Sequence, residues 1–179
     1  FAFLPPMFER AGTSDKGSIT GLYTVLVEGD DMDDPIADTV RSILDGHIVL
    51  SRDLAAKNHY PAIDILASVS RCRTDIIDDG HKKATAEMLR SLAIYKKSED
   101  LIRIGAYTKG SDAELDLAVE RWPEIEAILR QGVDDIYDLK ELYESMVRIV
   151  GEEVFQEEVA VPIEADENGG ENNLNPEGV

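Results

Sequence analysis

The 179 residues include a single cysteine, Cys72, so no disulfide can close within the chain, and a reducing compartment is the natural reading. No apolar run approaches the roughly 20 residues that a membrane-spanning helix needs. The sequence has no phosphate loop of the G-x-x-x-x-G-K-S/T type, no cluster of metal ligands, and no Cys/His or Ser/His pair at motif spacing. His47, His59 and His81 are scattered and read as surface or strand-end residues. Basic residues are scarce as well: 18 Lys and Arg stand against 37 Asp and Glu, a net charge of −19. That balance disfavours gripping a polyanion, so nucleic acid is excluded as a partner. Residues 149–179 carry nine acidic residues and no basic one, and the Gly/Asn-rich stretch 151–179 reads as a disordered acidic tail. Taken alone, the chain can hold only part of an active site.

What is present divides in two. Apolar residues make up 43% of the chain, enough for a real core. "FAFLPPMFERAG" reads as the end of a crossing element with a Pro-Pro turn, and the first residues look like interior structure, so a C-terminal piece of something longer is expected. "SITGLYTVLVEG" (18–29) has little polar alternation and predicts a strand buried on both faces, which favours a parallel sheet. Asp34 caps a helix that opens on Pro35. "HIVLS" (47–51) predicts a second strand, "RDLAAKN" a turn or two of helix, and "HYPAIDILASVSR" (59–71) a third strand. Strand, helix, strand, short helix, strand is the rhythm of βαβ units.

After Arg71 the period changes. Apolar positions from about Asp75 to Ile104 are spaced for helix, and "GAYTKGSD" breaks them. A second stripe runs from Leu115 to Leu129, with a kink or restart expected at Pro123, and a third from about Asp135 to Val150. The expected architecture is α/β then all-α: residues 1–74 as a partial nucleotide-binding domain, 75–150 as a helical bundle, and 151–179 as the tail.

Few residues offer chemistry. Arg71 ends a strand after Ser68-Val69-Ser70, where its guanidinium can project past the carboxyl edge of a sheet toward a phosphoryl group. It can equally pair with Asp64 or Asp75. Tyr60, held extended before Pro61, can stack on a base or cover the edge of the core. Arg52 rivals Arg71 for a phosphate but also suits a pair with Asp53. The Asp30, Asp31, Asp33 and Asp34 run reads as a solvated turn, since it lacks the ligand spacing of a hard-cation site.

Residues 17–71, "GSITGLYTVLVEGDDMDDPIADTVRSILDGHIVLSRDLAAKNHYPAIDILASVSR", resemble the end of the RecA-like P-loop NTPase domain of flagellar and type III secretion export ATPases, relatives of the F-type and V-type rotary ATPases. Residues 101–133, "LIRIGAYTKGSDAELDLAVERWPEIEAILRQGV", resemble the helical domain that follows it in the same family. The resemblance implies a homohexameric ATPase that couples ATP hydrolysis to protein export. Arg71 would be an arginine finger on ATP held by the neighbouring subunit, with Arg73 beside it as a second candidate. Tyr60 would pack on the adenine of its own subunit, and Gln131 and Gly132 would lie near that adenine. The segment from Gly110 to Trp122 would correspond to the part that meets a coiled-coil central stalk in the rotary relatives. Exported proteins, their chaperones and the export gate at the cytoplasmic face of the inner membrane are the implied partners. The phosphate loop, the Mg2+ ligands and the catalytic glutamate would lie outside these residues, so this chain alone should not hydrolyse ATP. The alternative is a non-hydrolysing nucleotide-binding subunit of a rotary ring.

Overall fold

The structure, a computed structural model, describes residues 3–27, 29 and 34–155. Three of the four acidic residues of the Asp30–Asp34 run and most of the acidic tail lie outside them. The chain starts with α1 (Leu4–Phe8), whose early prolines occupy positions where an amide N–H would have no helical partner. A hairpin follows: β1 (Gly12–Ser14) pairs antiparallel with β2 (Gly17–Ile19). The strand expected over 18–29 ends at Ile19. Residues 20–27 form no ladder, and Leu22 and Leu26 stand 92% and 93% exposed. An apolar run becomes a doubly buried strand only where flanking strands take up its backbone groups.

α2 (Pro35–Ile43) begins as expected. The Asp34 carboxylate accepts from the Ile36 and Ala37 amides at 2.8 and 3.2 Å. Its buried Ala37 and Val40 and the buried Phe8 form a small core, with Tyr23 set edge-on to Phe8 at 4.7 Å. β3 (Gly46–Leu50) leads through α3 (Arg52–Ala56) into β4 (Ile63–Ser70), and here the parallel sheet is corrected: β3 and β4 are antiparallel. The reason is length. The connection, residues 51–62, is at the lower limit of about a dozen residues for a parallel crossover, and only Arg52–Ala56 of it is helical. β4 therefore begins beside the end of β3, at Leu50↔Ile63, and runs back to Gly46↔Ser70. Between those pairs β4 bulges. Asp64 Oδ1 accepts from the Leu66 and Ala67 amides, and the Ser68 hydroxyl takes the amide of Val49 at 2.9 Å.

After the single turn α4 (Arg73–Ile76), three helices make the bundle: α5 (Asp79–Arg103), α6 (Ala113–Leu129) and α7 (Leu139–Val150), followed by a 3-10 turn at Glu152–Phe155. Each helix of the bundle is capped by an aspartate, Asp78, Asp112 and Asp138 in turn. Ala84, Met88, Leu92, Ile125, Met146, Ile149 and Val150 form the core, and Ile65 of β4 packs against it. The restart expected at Pro123 does not occur; α6 runs through it. Loss of one helical bond costs about 3 kcal/mol. Burial of Ala118, Arg121 and Ile125 on either side, with Trp122 stacked on Tyr95 at 4.0 Å, offsets that cost. Among the described residues, no helix is long and apolar enough to cross a membrane, and no group of three His, Cys, Asp or Glu could hold a metal ion.

Candidate functional site

Arg71 follows the last residue of β4, and its position is fixed twice. Its amide donates to the Asp45 carbonyl at 2.8 Å, and its guanidinium donates to the carbonyls of Ser42 and Arg41 at 3.3 and 3.1 Å. Those carbonyls belong to the end of α2, where backbone acceptors lack helical partners and the helix dipole favours a cation. Asp64, offered by the sequence as a partner, instead caps the β4 bulge. Neutral carbonyls orient the guanidinium without neutralising it, and the side chain is exposed. With five N–H donors, it can hold two carbonyls and still offer a face to an anion. Gly46 makes this junction possible. A Cβ there would come within 2.6 Å of the Val69 carbonyl oxygen, so any larger residue forces the ends of β3 and β4 apart.

Tyr60 lies before the other end of β4. Eight extended residues separate the two ends by up to about 26 Å, so Tyr60 and Arg71 face different surroundings. The Tyr60–Pro61 peptide is cis, and the tyrosine is 51% exposed. Its carbonyl accepts from the Gln131 amide at 2.8 Å, a bond that joins the turn before β4 to the end of α6. The Gln131 side chain donates to the Ile128 carbonyl at 3.5 Å, and the Gly132 amide donates to Asp135 Oδ2 at 2.6 Å. Thus the structure brings Tyr60, Gln131 and Gly132 to one place and Arg71 to another.

A model of the ATP synthase alpha/beta family nucleotide-binding domain matches residues 1–70, and a model of the T3SS EscN ATPase C-terminal domain matches residues 77–148. The chain belongs to the flagellar and type III secretion ATPase family. It is 49% identical over 156 residues to the flagellum-specific ATP synthase of Treponema pallidum, covering 87% of this chain and 35% of that protein. The assembled ATPase EscN of the enteropathogenic E. coli type III secretion system superposes with a TM-score of 0.81 at 48% identity, over 84% of this chain and 36% of that one. EscN in complex with its central stalk EscO gives 0.76 at 46%, over the same shares. The chain therefore spans about a third of the length of these relatives.

Within this member of the secretion ATPase family, the rival arginines are placed by local structure. Arg52 is the first residue of α3, after the Ser51 cap, and Arg73 is the first residue of α4. The loop between α5 and α6 is ordered by Asp116, which accepts from the Tyr107 hydroxyl at 2.5 Å and from the Gly110 amide at 2.8 Å. The hydrogen bond to Asp116 pushes the Tyr107 phenol up to about 12. Its folded pKa is raised, so the stabilisation is complete below the ordinary value of 10.0 and lost as pH climbs through about 12. In a 295 nm titration, the difference between the native chain and Tyr107→Phe should show one phenol ionising near 12, moved back toward 10 by Asp116→Asn. Ionisation of Tyr107 at its ordinary value of 10.0 would contradict the contact.

Two features of the site escaped the sequence. The sequence does not disclose the close approach at Gly46, where a Cβ would meet the β3–β4 contact. His59 reads as a surface residue, although it is 7% exposed. Burial lowers its pKa, as do Arg130 and Lys96, so the ring is neutral at neutral pH.

Proposed function

We propose that the whole protein is an ATPase that couples ATP hydrolysis to protein export through a flagellar or virulence type III secretion apparatus, working as a homohexamer around a coiled-coil stalk. Exported proteins and their chaperones are its cargo, delivered to a gate at the cytoplasmic face of the inner membrane. Residues 1–74 act as the end of the nucleotide-binding domain and 75–150 as the helical domain. The observation that carries this reading is the bond from the Gln131 amide to the Tyr60 carbonyl. Two segments that the family resemblance assigns to one adenine, far apart in sequence, meet in this chain. Tyr60 packs on the adenine of its own subunit, beside the Gln131-Gly132 turn. Arg71 reaches the nucleotide of the neighbour and stabilises the charge that builds on the transferring phosphoryl group. In this reading these residues contribute positioning and fixed charge to the site.

The test uses the whole protein. Tyr60→Ala should raise the Kd for ATP about tenfold, because stacking of a base on an aromatic ring is worth about 1–3 kcal/mol. The turnover number should change much less. An unaltered Kd would return Tyr60 to the role of covering the core edge. Absence of turnover in the unmodified protein would favour a non-hydrolysing ring subunit.

A further inference from the structure

Where α6 ends, consecutive amides find different acceptors. The Arg130 amide donates to the Glu126 carbonyl at 3.0 Å, the last bond of the helix. The backbone at Arg130 is extended (φ −104°, ψ 121°), so Gln131 and Gly132 lie beyond the spiral and take acceptors from outside it. The Gln131 amide donates to the Tyr60 carbonyl at 2.8 Å, and the Gly132 amide donates to Asp135 Oδ2 at 2.6 Å.

Little else holds this loop. Every residue from 132 to 138 is exposed, Val133 and Ile136 included, so apolar burial does not fix its path. The Asp135 amide returns to the Gly132 carbonyl at 3.3 Å, and together with the carboxylate bond this closes residues 132–135 into one turn. The fit is close: a Cβ on Gly132 would come within 3.2 Å of the same carboxylate oxygen. The Gln131 side chain reaches only the Ile128 carbonyl of its own helix, at a weak 3.5 Å. A carboxylate accepts a shorter and stronger hydrogen bond than a neutral carbonyl. Among the described residues, Asp135 therefore gives this loop its firmest tie, one residue from the amide that holds Tyr60.

We propose that Asp135 is a positioning residue for the nucleotide: its carboxylate holds the turn that presents the Gln131 amide to the Tyr60 carbonyl, and so sets where the Tyr60 ring meets the base. This rests on the reading of Tyr60 as the adenine-packing residue. The sign of the effect separates this role from that of a surface charge. ATP is an anion, so removing a nearby negative charge by itself favours binding. Loosening the turn disfavours it.

In the whole protein, the Kd of a slowly hydrolysed ATP analogue and the kcat and KM for ATP read the effect. The Asp135 side chain is exposed and outside the bundle core, so its variants keep the fold. Asp135→Ala should raise Kd and KM about threefold to fivefold, with kcat within about twofold. That loss is smaller than the one expected for Tyr60→Ala, because the ring remains and only its placement loosens. Asp135→Asn keeps an oxygen that can accept from the Gly132 amide, and its Kd should stay within about twofold of the native value. Asp134→Ala removes the same charge one residue away and should leave Kd unchanged or slightly lower. In a Tyr60→Ala background, Asp135→Ala should add no further loss, because it acts through Tyr60. Unchanged or tighter binding in Asp135→Ala while Tyr60→Ala weakens it would overturn the role of Asp135. So would an equal loss in Asp135→Asn or Asp134→Ala, or losses that add independently to that of Tyr60→Ala. An unchanged Kd in Tyr60→Ala would instead remove the reading on which the proposal rests.

Discussion

Arg71→Ala in the whole protein is expected to lower ATP turnover by about 10³-fold or more, while the Kd for ATP stays within about threefold. The expectation follows from how the guanidinium is held. Its partners are the Ser42 and Arg41 carbonyls, which supply geometry but no countercharge. A fixed cation therefore stands exposed at the end of β4, aimed by α2 and by the Asp45 bond to its own amide. Such a group interacts most strongly with a transition state whose oxygens gather negative charge, and less with the bound ground state. Arg71→Lys should recover only part of the loss, since an ammonium keeps the charge but lacks the planar fork that spans two carbonyls. Turnover near the native rate in Arg71→Ala would assign the residue to capping α2 and nothing more.

The second large effect is on stability. Arg121 is 7% exposed inside the bundle, where it donates to the Ser91 hydroxyl at 3.2 Å and to the Val150 carbonyl, with Glu87 at 3.8 Å. One side chain of α6 thus ties α5 to the last residue of α7. Arg121→Ala leaves a buried hydroxyl and a buried carbonyl without partners and opens a cavity beside Ile125. Each unsatisfied group costs about 1–3 kcal/mol, and a broken buried polar cluster about 3–5 kcal/mol in all. Thermal unfolding followed at 222 nm should shift down by roughly 6–15 °C for a chain of this size. A shift under about 2 °C would mean that water replaces the guanidinium at little cost. The surface pair Arg130–Glu126 offers a control, since its removal should change stability by less than about 0.5 kcal/mol.

The sequence exposed what is decided locally. The Asp34-Pro35 start of α2, the apolar stripes of α6 and α7, and the breaks between them depend on neighbours three or four positions away. They appear where expected, with α7 starting at Leu139 because Asp138 supplies the cap. Strand direction is not local in that sense. It depends on which strands pair, and the rhythm of alternating elements did not reveal that β4 folds back antiparallel on β3. Arg121 went unnoticed because an arginine beside a tryptophan on an amphipathic helix is ordinarily solvated. The anchors of Arg71 and Tyr60 are backbone carbonyls and an amide, groups that every residue carries, so no residue type could announce them.

The claim that Arg71 serves a neighbour is tested most directly by mixing. Arg71→Ala subunits would be co-assembled with subunits that keep Arg71 but lack the phosphate-binding lysine, a residue outside these 179. Each variant alone should be inactive. If the guanidinium acts across the subunit boundary, mixed rings contain junctions with an intact loop on one side and an intact arginine on the other, and ATP hydrolysis should reappear as the two are combined. Hydrolysis that stays at the level of the separate variants at every mixing ratio would contradict it.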